Sequence, residues 1–280
     1  RAMVQGKTIS ADTAVQVALL NNKGLQASYA NVGLSAAEAW QQSTPENPIV
    51  SIGVLGIGAP ELGAYRAIEG LIRSNVLDAT TRKQRMAIAD ASFRQAQLGA
   101  VNDTLALANQ TRKAWVDAVA AFEAVSYLRR AKATSDAGSE LAMRLGETGA
   151  LNKAGQAREQ AFNAELAGQL AQARLNATRS KEALTRLMGL WGTGVDYYVP
   201  DALPSLPRSV GRVTDIEAKA LRNRVDLRVA KLGLEAQAKA FGLTDQTRIV
   251  SDLEIVAGAE FEREVEGSGD IETKTLPQVE

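Results

Sequence analysis

The chain contains no histidine and no cysteine. Disulfides, thiolate catalysis, Cys/His zinc sites and Ser-His-Asp triads are therefore excluded together. Aromatic residues are scarce, at 5% against a hydrophobic total of 45%, and alanine supplies much of the apolar share. Alanine has the highest helix propensity and lets backbones approach closely, which favours long, tightly packed helices over a thick globular core. Lys and Arg together number 32, and so do Asp and Glu. A nucleic-acid partner would call for a basic surplus to neutralise phosphates, so none is expected. There is no apolar run of the roughly 18 residues that a membrane-spanning helix requires, so any passage through a bilayer must be made by strands. No secretory signal precedes Arg1, which is also how a processed chain would read. The 280 residues suffice for one large domain or two ordinary ones.

What is present is periodic. Residues 12–42 read as helix, with Asp12 as N-cap and Val15, Leu19, Leu25, Tyr29, Val32 and Ala36 at helical spacing. Pro45 and Pro48 end it. Residues 49–58, IVSIGVLGIG, are β-branched and glycine-rich and read as a strand. Residues 59–77 read as a turn and a partly extended return, with 66–78 poorly strand-like. From Ala79 the spacing alternates between three and four: Met86, Ala89, Phe93, Ala96 and Ala100, then Val101, Leu105, Ala108, Arg112, Trp115, Val119 and Phe122 after a one-residue shift. That is a coiled-coil-like helix of about 65 residues, roughly 100 Å long. Gly146 and Gly149 supply a turn, and a second helix of about 40 residues follows from near Leu151 to Leu190, carried by Phe162, Leu166, Leu170, Ala173, Ala177, Leu184, Leu187 and Trp191. The fold class is mainly α: a long antiparallel coiled-coil-like hairpin with a few β-strands. After a linker with Pro200, Pro204 and Pro207, a helix of residues 215–243 would cover the length of the first helix that the second leaves bare.

The chain also repeats. ALLNNKGLQASYANV at 18–32 aligns with ALRNRVDLRVAKLGL at 220–234, matching Ala18, Leu19, Asn21 and Leu25 to Ala220, Leu221, Asn223 and Leu227. IVSIGVLGIGA at 49–59 then lines up with IVSDLEIVAGA at 249–259. A helix-then-strand unit therefore occurs twice, and the long hairpin follows only the first copy. The expectation is a shortened chain or part of a longer one. In the second copy Ile249, Ser251, Leu253, Ile255, Ala257, Ala259 and Phe261 alternate with Val250, Asp252, Glu254, Val256, Gly258, Glu260 and Glu262. One face is mostly apolar and the other mostly acidic, the pattern of a barrel strand with lipid outside and water inside. Residues 267–270 read as a loop before a return strand cut short.

The repeated A-L-x-N-x-x-x-L helix, the helix-strand order, the hairpin with its Arg144/Gly146 tip, the ending EALTRLMGLWG at 182–192 and the linker PDALPSLP at 200–207 together resemble the TolC-like outer-membrane efflux proteins. The first helix is most similar to the heavy-metal efflux subgroup. The resemblance covers nearly the whole chain but about half of a family member, whose second long hairpin is missing here. It implies a homotrimer in which each chain is a partial α-barrel plus β-barrel protomer, in the bacterial outer membrane with a periplasmic extension. It also implies partners: outer-membrane lipid, a periplasmic adaptor (membrane fusion) protein and an inner-membrane pump, with no cofactor. Carried over by motif, the adaptor-docking tip is Arg144, Gly146, Gly149, Leu151 and Asn152. The function so implied is a passive duct for small molecules or metal ions.

The segments expected are a helical stretch (1–48), a strand and turn (49–78), the hairpin (79–192) with its tip near 144–152, a Pro-rich linker (193–214), a helix of the second repeat (215–247) and a β-hairpin segment, cut short (248–280). Asp252, Glu254, Glu260 and Glu262 are candidates for a cation-attracting lumen, against a solvated face of an ordinary sheet. Trp40, Trp115 and Trp191 are expected in helix packing, and Arg129, Arg130 and Lys132 on a solvated face. Gly53, Gly56, Gly58 and Gly63 fit neither a dinucleotide fingerprint nor a phosphate loop. Ser74 and Thr81 near scattered lysines make no catalytic constellation, so no enzyme and no metal site are expected. The competing class is a soluble coiled-coil scaffold of the cell envelope, which would have no use for the helix-strand repeat.

Overall fold

A computed structural model describes residues 4–58, 65–192, 196–205, 215–250, 253–265 and 271–279. The elements are β1 (Lys7–Thr8), α1 (Ala11–Asn21), α2 (Lys23–Ser43), β2 (Ile49–Leu55), β3 (Ala67–Asn75), α3 (Val76–Glu147), α4 (Lys153–Leu187), β4 (Tyr197–Tyr198), α5 (Ile216–Asn223), α6 (Val225–Gln246), β5 (Glu254–Val265) and β6 (Ile271–Val279). They form two compact units, one of Arg1–Ala30 and Gly99–Val225, the other of Asn31–Leu98 and Asp226–Glu280. Helix α3, 72 residues long, contributes to both. The chain is mainly helical with few strands, as its periodicity predicts.

In the first unit α1, α3 and the end of α4 bury one cluster around Ile9, Val17, Leu107, Trp115, Val119, Leu184, Met188 and Tyr197. The Trp115 indole N–H donates to the Ile9 carbonyl at 3.0 Å, and the Tyr197 hydroxyl bonds Thr185 at 2.8 Å and the Lys181 carbonyl at 3.1 Å. Burial pushes the Tyr197 phenol pKa up despite the Thr185 bond. Strands β1 and β4 pair in parallel, Lys7 with Tyr197 and Thr8 with Tyr198. Further along, Val125 of α3 packs on Leu170 and Ala177 of α4. Alanine lines these seams, with Ala118 wholly buried, which is what an Ala-rich helix with so few aromatics can bury. Trp115 is buried as expected, whereas Trp40 and Trp191 are 72% and 68% exposed.

In the second unit the sheet order is β2-β3-β5-β6, every neighbour antiparallel. The start of α3 also carries α6: Lys239 reaches the Ala87 carbonyl at 3.5 Å, and Gly233 lies against Gln95. Asn75 caps α3 by accepting from the Asp78 N–H at 2.9 Å, and Asp78 in the first turn pairs with Arg85. A carboxylate there complements the positive end of the helix. On the other strand-to-helix side, Arg82 donates to the carbonyl of Ser43, the last residue of α2.

The structure departs from the sequence reading in particular places. Ser10, not Asp12, caps α1, its hydroxyl accepting from the Thr13 N–H at 3.2 Å; Asp12 instead pairs with Arg112 at 2.7 Å. The single helix expected over 12–42 is broken at Asn22, and that expected over 215–243 is broken at Arg224. These two residues take nearly the same extended backbone, φ −64°, ψ 119° and φ −65°, ψ 116°. The breaks fall at matching positions of the repeat, so the repeat extends to the backbone. The strand expected over 49–58 ends at Leu55, because Gly56 turns the chain with φ +65°. The return segment judged poorly strand-like is the nine-residue β3 in the middle of the sheet. The strand expected from Ile249 begins at Glu254, five residues late. The return strand is β6, which pairs with nine of the 12 residues of β5. Residues 267–270, Pro207, Gly63, Ser251 and Asp252 lie outside the described residues.

Candidate functional site

Two regions carry the candidate residues, the hairpin tip in the first unit and the sheet in the second. At the tip α3 ends at Glu147 and the chain turns through Gly149 at φ +78°. The Leu151 N–H donates to the Leu145 carbonyl at 3.1 Å, and the Gly149 N–H to that of Gly146, also at 3.1 Å. Asn152 restarts the chain as the N-cap of α4, its side chain accepting from the Gly155 N–H at 2.8 Å. Leu151 therefore lies in the turn, two residues before the helix expected to begin near it. Arg144 is held along its own helix by Glu140 at 2.5 Å. All five expected tip residues are brought together. Sequence reasoning missed Gln156, whose amide donates to the Leu151 carbonyl at 3.2 Å and sits where a Gly146 Cβ would be. It also missed Gly155, where a Cβ would meet Leu151 at 2.7 Å. The closeness of Gly155 to Asn152 was the available signal.

Behind the tip, Asp136 of α3 accepts from Asn163 of α4 at 2.8 Å and pairs with Lys132. The Asn163 bond, then Lys132, holds the Asp136 carboxyl below its usual pKa. With the folded value depressed, this contribution is fully present above the ordinary carboxylate value and is lost as pH falls from there through the lower folded one. Of the three basic residues expected on a solvated face, Arg129 and Arg130 are exposed, while Lys132 is half-buried.

In the sheet, the register sorts side chains onto two faces because neighbours along a strand alternate. One face holds Val50, Ile52 and Val54 of β2, Ile68 and Ile72 of β3, Ile255, Ala257, Ala259 and Phe261 of β5, and Pro277 and Val279 of β6. Most of its apolar side chains are left uncovered by the described residues: Ile52 is 76% exposed and Val279 79%. Pro277, which has no N–H to donate, is tolerated because β6 is an edge strand. The opposite face holds Glu69 and Arg73 of β3, Glu254, Glu260, Glu262 and Glu264 of β5, and Glu272, Lys274 and Gln278 of β6. Of the four expected carboxylates, Glu254, Glu260 and Glu262 share this face and Asp252 is not described. Glu254 meets Arg73 at 3.6 Å, Glu262 meets Arg66 at 3.3 Å, and Glu260 accepts from Gln278 at 3.0 Å. Glu69 stands directly across from Glu260 in the register. Reading 66–78 as poorly strand-like hid Glu69. Glu264 and Glu272 were missed because the alternation was followed only as far as Glu262. Among the described residues no group of three or more carboxylates is placed to hold a metal ion. Nor is any helix there long and apolar enough to cross a membrane.

This architecture is that of solved outer-membrane channels. The structure of CusC, described in terms of folding and transmembrane channel formation, superposes with a TM-score of 0.73 at 13% identity, over 96% of this chain and 65% of that one. The outer-membrane protein VceC of Vibrio cholerae gives 0.71 at 13%, over 96% and 67%. The CmeC outer-membrane channel of Campylobacter jejuni gives 0.68 at 16%, over 96% and 61%. The chain thus has the TolC-like fold and spans about 65% of the length of CusC. No protein-family model matches the sequence, and neither does any curated protein.

Proposed function

We propose that this chain is a protomer of a passive outer-membrane efflux duct, homotrimeric, with its hairpin tip docked on a periplasmic adaptor that couples it to an inner-membrane pump. The observation that carries this reading is the sheet: four antiparallel strands with one largely apolar face, an opposite face that gathers most of the charge and, among the described residues, no further strand on either edge. Strands β3, β5 and β6 have nine, 12 and nine residues, close to the roughly 9–11 that cross a bilayer as tilted strands. Free edges with an apolar face are an aggregation hazard in water and an assembly surface in lipid. Four strands cannot close a pore, since membrane barrels begin at about eight, but three copies supply enough. Small molecules or metal ions would pass along the carboxylate face. The mechanism asks no chemistry of the chain: pump and adaptor supply the energy, and the tip supplies a closable end.

The deciding experiment is the absolute mass of the protein extracted in detergent, by light scattering. A trimer supports the shared barrel. A buffer-soluble monomer or dimer needing no detergent overturns the duct and leaves the envelope scaffold in its place.

Two expectations follow from the site. Gly149→Val places a β-branched residue at φ +78°, costing about 1–2 kcal/mol of local strain far from the buried clusters. The variant should stay folded by circular dichroism yet abolish export in a drug- or metal-sensitivity assay; unchanged resistance would remove the tip from the mechanism. Replacing Glu69 and Glu260 together by Gln removes the facing carboxylate pair. Conductance in planar bilayers should then lose most of its cation-over-anion preference, and an unaltered reversal potential in a salt gradient would argue that the other face lines the pore.

A further inference from the structure

The turn between α3 and α4 is tied to both helices at one residue, Leu151. On the α3 side the Leu145 carbonyl accepts from the Leu151 N–H at 3.1 Å and from the Thr148 hydroxyl at 3.0 Å. On the α4 side the Leu151 carbonyl would ordinarily take the Gly155 N–H, four residues on. That N–H is already given to the Asn152 side chain at 2.8 Å, because Asn152 caps the helix. The carbonyl left over is taken by Gln156, whose side-chain amide donates to it at 3.2 Å. Leu151 is thus bonded to α3 through its N–H and to α4 through its carbonyl. Both Leu151 and Gln156 are half-buried.

Gln156 reaches this carbonyl because Gly146 has no side chain. The Gln156 amide occupies the space that a Cβ on Gly146 would fill. Gly146 still belongs to α3 and is not one of the glycines with positive φ, so its backbone does not call for glycine. Inside a helix glycine is a cost relative to alanine. What it supplies here is room for an amide from the facing helix. On the other helix Gly155 does the same for the Leu151 side chain, which would stand 2.7 Å from a Cβ there. One glycine on each helix therefore lets the two ends close on Leu151.

We propose that Gln156 is a positioning residue for the docking tip: it clasps Leu151, and with it the turn from Gly149 to Asn152, in the form that the adaptor meets, and Gly146 admits it. This rests on the tip being the docking end, and the test separates the two ideas. Hydrogen exchange of residues 147–152 is measured by mass spectrometry on the purified protein, beside export in the drug- or metal-sensitivity assay. Q156A should exchange about fivefold faster there, as the loss of one net hydrogen bond implies, and should lower export with it. Q156K keeps an N–H donor at similar reach beside the negative end of α3 and should restore both. G146A pushes the amide aside and should match Q156A. The double variant G146A/Q156A should be no worse than either, because both changes remove the same bond. Q169A is the control: its side chain bonds Glu165 of its own helix at 3.0 Å, and neither readout should move. Unchanged exchange in Q156A, or losses that add in the double variant, would overturn the clasp. Faster exchange with full export would overturn its positioning role. In that case abolished export in G149V keeps the tip as the docking end, and full export in G149V as well removes the docking tip together with the proposal.

Discussion

Gly189→Ala is expected to lose roughly 3 kcal/mol of stability, from about 1–2 of left-handed backbone strain and ~1–3 of overpacking. Gly189 closes α4 at φ +65°, with its N–H on the Arg186 carbonyl at 3.0 Å and the Leu190 N–H on that of Thr185 at 3.1 Å. This is the hydrogen-bond pattern that ends a helix with a left-handed glycine. A second constraint is added by the neighbouring chain: a Cβ there would stand 2.6 Å from the Asn21 carbonyl oxygen and 3.1 Å from the Asn22 nitrogen. Both are backbone atoms, which cannot swing aside as a side chain can. They belong to the joint between α1 and α2, where the Asn22 side chain donates to the Leu187 carbonyl at 3.0 Å and accepts from the Leu25 N–H at 3.1 Å. Asn22 thus serves two helix ends at once, and the alanine methyl would push them apart. Gly192→Ala is the control, since Gly192 has φ +89° but nothing within 4 Å of its Cβ. Chemical denaturation of both variants separates strain from crowding. Equal losses would mean that the joint yields freely, and that the close approach constrains nothing.

The same joint explains what sequence reasoning could and could not reach. The long helices were legible because the three-four spacing of Ala89, Phe93 and Ala96 onward is a local property, and no proline interrupts it. The repeat was legible as letters, Asn21 with Asn223 and Leu25 with Leu227. The break inside it was not, because Asn22 leaves the helix to bond a residue of α4 165 positions away. Strand β3 was obscured for a related reason. Leu71, Ile72 and the glycine before them blur its period of two, and its identity as a strand comes from pairing with β5, nearly 200 residues later. The late start of β5 follows from the same partner, since Glu254 is where Asn75 ends the ladder. At the tip, the turn residues were readable from glycine chemistry, whereas Gln156 was not, because only the approach of α4 to Gly146 gives it a role. Carboxylates on β5 were found by alternation along one strand. Their facing partner Glu69 required the register between two.

Ile72→Arg is expected to have the largest effect on assembly while leaving the rest of the chain intact. Ile72 sits in the middle of β3, paired with Val50 on one side and Ala257 on the other, and its side chain is 53% exposed on the apolar face. If that face meets water, an exposed isoleucine replaced by arginine changes stability by under about 0.5 kcal/mol, as surface substitutions do. If it meets lipid, an arginine near the bilayer midplane costs about 2–4 kcal/mol per copy. In a trimer that penalty is paid three times, enough to abolish membrane assembly. The buried clusters around Trp115 and Leu184 are made by other residues, so helix content should not change. Glu260→Gln, on the opposite face of the neighbouring strand, should leave assembly as it is. The measurement is the fraction of protein in the outer-membrane pellet, with circular dichroism of the purified variants as the check on folding. Loss of Ile72→Arg from the membrane, with Glu260→Gln retained, assigns the two faces of the sheet to lipid and lumen. Equal recovery of both from the membrane fraction would place Ile72 away from lipid. Recovery of the wild type in the soluble fraction would turn the sheet into an ordinary solvated one and return the molecule to the scaffold class.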